Sequence, residues 1–249
     1  MSKATRESLV AALRLIVLLV LAWQAFYWWI GDVALRSPAE TVAFLLKLMA
    51  TENFWRHLAE TAKAFGVALL LSILIGLAVG FLLGLNRFSR EMLEPVLVAF
   101  YSVPKITLYP ILLLMFGLGI AAKIAFGTIH GVIPVALFTV GAVRNVRPVL
   151  MKTGRVMGLR PLELIREIIL PAALPEIFAG LRIGFALTLI GTLLGEMFAS
   201  QRGVGYLLMS AIGLHNIDLI MALTLLLTLF AGTASGLLLY VDRRLRARA

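Results

Sequence analysis

The sequence of 249 residues contains no cysteine, few charged residues and none of the common motifs of nucleotide-binding or hydrolytic enzymes. The absence of cysteine excludes disulfides, thiol catalysis and cysteine-based metal sites. The GxxxxGK[ST], HExxH and GxSxG motifs are also missing. The three histidines, at positions 57, 130 and 215, are too far apart in sequence to indicate a metal site. We therefore predict no catalytic residue, no metal site and no cofactor in this chain.

Apolar residues dominate what is present. Hydrophobic residues make up 61% of the chain and charged residues only 14%, a composition typical of an integral membrane protein. Six apolar runs are long enough to cross about 30 Å of hydrocarbon as helices. They cover residues 9–30, 65–85, 96–116, 124–143, 183–199 with a lead-in from 177, and 219–241. Barrel strands would instead alternate in short pieces. The sequence predicts an all-α, polytopic membrane protein with about six transmembrane helices.

The distribution of lysine and arginine predicts the orientation, because basic residues in short loops stay on the cytoplasmic side. With the N-terminus inside, the outer segments carry few basic residues, among them Arg36, Lys47, Arg56, Lys123 and Arg202. Most of the remaining basic residues fall in inner segments, so we expect both termini in the cytoplasm. The net charge of +10 then reflects topology and contact with the lipid bilayer. No aromatic-interleaved basic patch indicates nucleic-acid binding.

No linker or low-complexity tract divides the chain. We expect an N-terminal helix with an outer amphipathic segment over 1–56, a membrane core over 57–241 and a basic cytoplasmic tail over 242–249. In the second run, small residues at positions 72, 76, 80 and 84 recur every four residues and predict a close helix-packing face.

Prolines and polar residues in the third and fourth runs suggest a transport path. Pro104, Pro110 and Pro134 are expected to break these spans, and the freed carbonyls then need a partner or a wet cavity. Lys105 lies near mid-membrane, where a charge is costly. Its ammonium either attracts an anionic substrate or forms a structural pair. Tyr101, Ser102, Thr107 and Tyr109 supply hydrogen-bonding groups nearby, and the candidate path residues beside Lys105 are Tyr101, Ser102, Pro104 and Thr107.

Two further ionisable residues lie at membrane depth. His130 either relays protons or is an ordinary packed, hydrogen-bonded histidine. Glu196, near the outer end of the fifth run, either gates the path or stabilises packing. If Lys105, His130 and Glu196 act together, an ion-coupled secondary transporter is the alternative to the interpretation that follows.

A charged segment, 149–171, separates the fourth and fifth runs, and Gly158, Ile168, Leu170 and Pro171 in it fit the pattern GxxxxxxxxxIxLP. This pattern resembles the EAA-loop signature of permease subunits of bacterial binding-protein-dependent ABC importers of type I. The stretches AFYSVPKITLYPILLLMFGLGIAAK and GEMFASQRGVGYLL look like the nitrate, sulfonate, taurine and thiamine-precursor branch of that family. The likeness covers about residues 57 to 241, and it implies a location in a bacterial plasma (inner) membrane.

The resemblance implies a role for the 149–171 loop. A coupling helix around Val149 to Gly158 would insert into a cytoplasmic ATPase, followed by a second helix ending near Pro171. Gly158 suits the turn between them, and Leu162, Ile165, Ile168 and Ile169 would give the second helix an apolar face. The implied partners are a dimer of ATPase subunits that binds the ATP, a second permease copy forming a homodimer, and an extracytoplasmic substrate-binding protein.

The sequence departs from the family at the triplet that names the loop. Lys152, Thr153 and Gly154 replace Glu-Ala-Ala, which reverses the charge. Coupling then depends either on an acidic groove in the ATPase or on shape, through Met151, Val156 and Met157. The branch handles small anions of the sulfonate or nitrate kind and small heterocycles, and Lys105 favours an anion.

Overall fold

The computed structural model describes residues 3–198 and 200–246, and these residues form helices and short connections without a strand. The predicted all-α class is confirmed. Ala199, the last residue of the predicted fifth run, and residues 247–249 of the predicted tail lie outside the described residues. The helices are α1 (Lys3–Ile30), α2 (Pro38–Met49), α3 (Glu52–Leu85), α4 (Arg87–Ser102), α5 (Tyr109–Phe116), α6 (Ile120–Arg144), α7 (Pro148–Val156), α8 (Pro161–Leu164), α9 (Leu170–Phe198), α10 (Val204–Gly213) and α11 (Ile217–Arg246).

In the described part, five helical stretches are long and apolar enough to cross a membrane, and a bent pair of helices makes a sixth. The break expected at Pro104 is present: α4 and the stretch Lys105–Phe116 meet at 89°. The bend falls at Pro104, which lacks an N–H and disfavours helical geometry at Val103, whose ψ is 132°. Pro110 does not break the helix, because it lies in the first turn of α5.

Two other features differ from the prediction. The helix of the second span begins at Glu52, well before residue 65, because many of the residues between these positions favour helix. Pro134 does not interrupt α6. The neighbouring Val135 packs against Gly76 of α3 and Gly184 of α9, so contacts from two helices outweigh the loss of one backbone hydrogen bond.

The chain divides into two compact units, of which the first comprises Met1–Trp55 and Leu207–Leu229. Within it, Ser37 and Glu40 form a capping box that starts α2 at Pro38. The Trp23 indole donates to the Arg36 carbonyl at 3.0 Å, and Arg36 Nε lies 2.6 Å from Asp218 Oδ1. These contacts fix the connection after α1.

The second unit comprises Arg56–Tyr206 and Phe230–Ala249. The predicted small-residue face of α3 is confirmed, because it packs on α6: a Cβ at Gly76 would lie 2.6 Å from Val135 Cβ, and one at Gly84 would lie 2.8 Å from Val143 Cβ. At one end of this unit, an apolar cluster joins α6, the π-helical turn Ile165–Ile169 and α9. Its buried members are Ala142, Val143, Val146, Ile169, Ala173 and Ile177.

Candidate functional site

The 149–171 segment folds as two helices joined by a tight turn. Gly158 has φ 71°, a conformation that suits glycine. Its N–H donates to the Arg155 carbonyl at 3.1 Å, and the Leu159 N–H donates to the Gly154 carbonyl at 3.1 Å. These two bonds form a Schellman motif, which ends α7. Pro161 then opens α8, where a proline in the first turn costs no helical hydrogen bond.

The second helix does not end near Pro171, contrary to the prediction. Helical structure continues from Pro161 to Phe198, so this helix and the fifth span are one element. Pro171 has no N–H for an ordinary helical bond, and the turn before it widens: the Leu170 N–H donates to the Ile165 carbonyl, five residues back. A π-helical turn of this kind accommodates the proline without ending the helix.

Gly154 explains why α7 lies so close to the next helix. It is buried, and an added Cβ would contact Leu164 Cδ1 and lie 2.6 Å from Ile168 Cδ1. The apolar face predicted for the second helix therefore needs one correction. Leu162 is exposed, and Leu164 takes its place beside Ile165 and Ile168. Glycine at position 154, the last residue of the triplet Lys152-Thr153-Gly154, therefore lets α7 pack in contact with the helix that follows it.

Several apolar side chains of the 149–171 segment are exposed. Val156 is 88% exposed, Leu162 76% and Met157 69%. Lys152 and Thr153 are also exposed, whereas Met151 packs against the apolar cluster of the second unit. Ile168 is partly buried, and Leu170 and Pro171 are exposed. We call the exposed residues Val149, Val156, Met157 and Leu162 the apolar rim.

Lys105 lies at the bend between α4 and α5. Its Nζ donates to the Tyr101 carbonyl at 3.1 Å and lies 5.2 Å from the centroid of the Tyr101 ring. Ser102 and Thr107 are exposed, and their hydroxyls bond to carbonyls of their own turns. Pro104 is also exposed. Among the described residues no carboxylate pairs with Lys105.

His130 and Glu196 are both engaged in packing contacts. His130 Nδ1 lies 2.8 Å from the Phe126 carbonyl, and its ring packs edge-on against Phe126. Glu196 is fully buried. Its carboxylate accepts from Thr61 Oγ1 at 2.8 Å and from the Gly205 N–H at 2.9 Å. In the described part of the chain, no hydrogen bond or ion pair links Lys105, His130 and Glu196 to one another.

Glu196 belongs to a polar cluster that holds the loop 200–205 against α3. The Gly203 N–H donates to His57 Nδ1 at 3.0 Å, and the Val204 N–H donates to Thr61 Oγ1 at 2.8 Å. The side chain of Glu196 occupies the space that a Cβ on Gly203 would need, and Gly203 has φ 121°. Three consecutive backbone N–H groups of this loop are therefore bound by side chains of two helices.

Lys123 completes this cluster and was missed by sequence reasoning, which treated it as an ordinary outer basic residue. It is only 2% exposed. Its Nζ lies 3.2 Å from Glu60 Oε1 and 2.7 Å from the Arg202 carbonyl. Two signals were available: a lysine at the start of an apolar run needs a partner, and His57, Glu60 and Thr61 share one helical face by their spacing.

Comparison with known proteins identifies the family. The family model described as the binding-protein-dependent transport system inner membrane component matches residues 72–247. The taurine transport system permease protein TauC of Escherichia coli is 29% identical over 207 residues, which are 78% of this chain and 75% of that protein. The formylaminopyrimidine transport permease protein ThiX of Halalkalibacterium halodurans is 29% identical over 191 residues, 76% of each chain.

Among solved structures, an inward-facing form of the MetNI methionine ABC transporter matches with a TM-score of 0.67. The sequences are 22% identical, and the match covers 79% of this chain and 96% of that one. This likeness shows the fold, and the family model and sequence relatives confirm the resemblance drawn from the loop signature. The chain belongs to the inner membrane components of binding-protein-dependent transport systems and is a permease subunit of an ABC importer.

Proposed function

We propose that the 149–171 segment is the coupling element of this permease and docks on a cytoplasmic ATPase subunit. The observation that carries the proposal is the apolar rim, whose side chains are exposed beside the charged residues Lys152 and Arg155. An exposed apolar patch rimmed by polar residues is typical of a protein interaction site. Lys152 and Arg155 beside the rim favour a groove that carries acidic residues.

The rigid connections of the segment support mechanical coupling. Gly154 allows α7 to pack on Leu164 and Ile168, and helical structure runs from Pro161 to Phe198 without interruption. A displacement of α7 by the ATPase would therefore move a whole membrane-spanning helix. In this proposal, ATP is bound and hydrolysed in the partner subunits, and this chain supplies the mechanical link to the membrane helices.

The bend at Pro104 is the proposed wall of the translocation path. Tyr101, Ser102 and Thr107 expose polar groups there, and Lys105 carries a charge that no described carboxylate neutralises. His130 and Glu196 stabilise the helices around the path and do not contact the substrate, because hydrogen bonds hold both side chains inside the second unit.

The proposed assembly is a homodimer of this permease with an ATPase dimer and an extracytoplasmic binding protein. Both termini and the 149–171 segment face the cytoplasm, in agreement with the excess of basic residues in those segments. The core of the permease covers 57–241, preceded by the additional helix of 1–56 and followed by the basic tail.

We propose a small sulfonate as the substrate. The taurine permease relative transports a molecule of this class, and Lys105 supplies a cation at the bend. A small heterocycle, as the name of the formylaminopyrimidine relative suggests, is the competing substrate class. Uptake of each compound by the complete assembly decides between them.

The docking proposal is tested with Val156→Asp. A buried, unpaired carboxylate would oppose docking, so we expect association with the ATPase subunit to weaken by at least about tenfold. The measurement is co-purification of the ATPase with the permease, together with ATP-dependent uptake in liposomes. Val33→Asp is the matched control, because Val33 is 86% exposed and lies outside the segment. Equal ATPase recovery with both variants would refute docking through the apolar rim.

A further inference from the structure

A cavity of about 500 Å³ lies beside the loop 200–205, and none of the roles proposed above uses it. It is lined by Glu60 of α3, Lys123 of α6, residues 118–119 and residues 200–202. It lies at the C-terminal end of α9, whereas the 149–171 segment precedes the N-terminal end. At about 1.5 Å per residue, α9 separates the two places by roughly the thickness of a membrane.

The lysine in this cavity has unused donor capacity. An ammonium group has three N–H donors, and Lys123 directs two of them to Glu60 and to the Arg202 carbonyl. Because Lys123 is almost completely buried, the third donor cannot be satisfied by bulk water alone. Glu60 offsets the charge of Lys123, so the residues that line the cavity carry a net positive charge only if a further cation is among them.

Arg202 is that cation. Arg202 lines the cavity and is exposed, and among the described residues no carboxylate pairs with its guanidinium. Its backbone is fixed on both sides: the carbonyl accepts from Lys123 and from Ser200 Oγ, and the next N–H is held by His57. A guanidinium presented from a fixed backbone loses little freedom when it binds a planar or tetrahedral anion.

We propose that this cavity binds the anionic group of a small sulfonate on the extracytoplasmic side of the permease, with the Arg202 guanidinium and the third N–H of Lys123 as donors. Gln201 also lines the cavity and carries a side-chain amide. The cavity is concave, and its volume falls in the range of small-molecule sites. A site of this shape and size suits a small anion in solution better than a protein partner. The inference rests on the substrate class proposed above and adds to it a receiving site distinct from the bend at Lys105.

The test measures binding of methanesulfonate to the full-length permease in lipid nanodiscs without its binding protein. Saturation-transfer NMR titration gives the dissociation constant, and dimethyl sulfone, a neutral molecule of similar shape, is the ligand control. We expect Arg202→Gln to weaken methanesulfonate binding about tenfold, because it removes charged donors. We expect Arg202→Lys to retain part of the affinity, since lysine keeps the positive charge but lacks the planar set of N–H donors of the guanidinium.

Glu60→Gln provides a test of opposite sign. It removes the only carboxylate that lines the cavity among the described residues, so we expect methanesulfonate to bind about threefold more tightly. Lys47→Gln removes one positive charge from α2, which does not line the cavity, and leaves the affinity unchanged. Unfolding midpoints of all variants in the same nanodiscs show whether each one is folded.

The outcomes separate the inference from the proposed function. If wild-type permease binds methanesulfonate no better than dimethyl sulfone, or if Arg202→Gln and Lys47→Gln behave alike, the cavity is not an anion site. ATP-dependent sulfonate uptake by the wild-type assembly is measured in parallel. Uptake without binding at the cavity overturns the inference alone, and binding without uptake overturns the proposed substrate class and leaves the site in place.

Discussion

At the scale of single residues, Glu196 shows how a buried carboxylate organises a connection between helices. Its oxygens accept hydrogen bonds from Thr61 and from the Gly205 N–H, and its side chain fills the space beside Gly203. From the sequence alone, Glu196 is a membrane-depth acid that either gates or packs. The contacts with the loop 200–205 could not be predicted, because no local pattern relates residue 61 to residue 205.

We predict that Glu196→Ala destabilises the permease by about 3 kcal/mol, since it leaves the Gly205 N–H and the Thr61 hydroxyl without their acceptor and opens a void. The midpoint of thermal unfolding in detergent measures the change. The control is Glu167→Ala, because Glu167 is exposed and pairs with Arg166 only at 3.8 Å, a contact worth little. A midpoint for Glu196→Ala equal to that of the control would contradict a structural role for this carboxylate.

At the scale of elements, the 149–171 segment shows which structural features can be predicted from a sequence pattern. The turn at Gly158 and the start at Pro161 were predictable, because each depends on the backbone preference of one residue. The continuation through Pro171 was not. It depends on a π-helical turn and on the apolar cluster around Ile169, both of which come from tertiary packing.

We predict that size at position 154 controls this element. Gly154→Ala meets only the flexible ends of Leu164 and Ile168, and alanine favours helix by about 1 kcal/mol, so stability and uptake stay near the wild-type level. Gly154→Leu would push α7 away from α8 and reduce ATP-dependent uptake about tenfold or more. Gly66→Leu is the matched control, since a Cβ at Gly66 of α3 would meet no other atom within 4 Å. Full uptake with Gly154→Leu would show that close packing here is not needed for coupling.

At the scale of the whole molecule, composition and run length predicted the helical class and the number of spans, because crossing a bilayer imposes length and apolarity on every helix. The bend at Pro104 and the unbroken α6 needed the structure. Both sites contain proline, and the difference lies in the surroundings: Val135 beside Pro134 is held between two helices, whereas the residues at Pro104 are exposed.

The orientation of the whole chain is the last prediction, and the absence of cysteine makes it accessible to experiment. Single cysteines at Val156, Gln201 and Arg244, all exposed, would be the only thiols in each variant. In intact cells, we expect a membrane-impermeant maleimide to label Gln201→Cys, while Val156→Cys and Arg244→Cys react only after permeabilisation, because basic segments stay in the cytoplasm. Labelling of Val156→Cys from outside would place the 149–171 segment out of reach of any ATPase and overturn the coupling proposal with it.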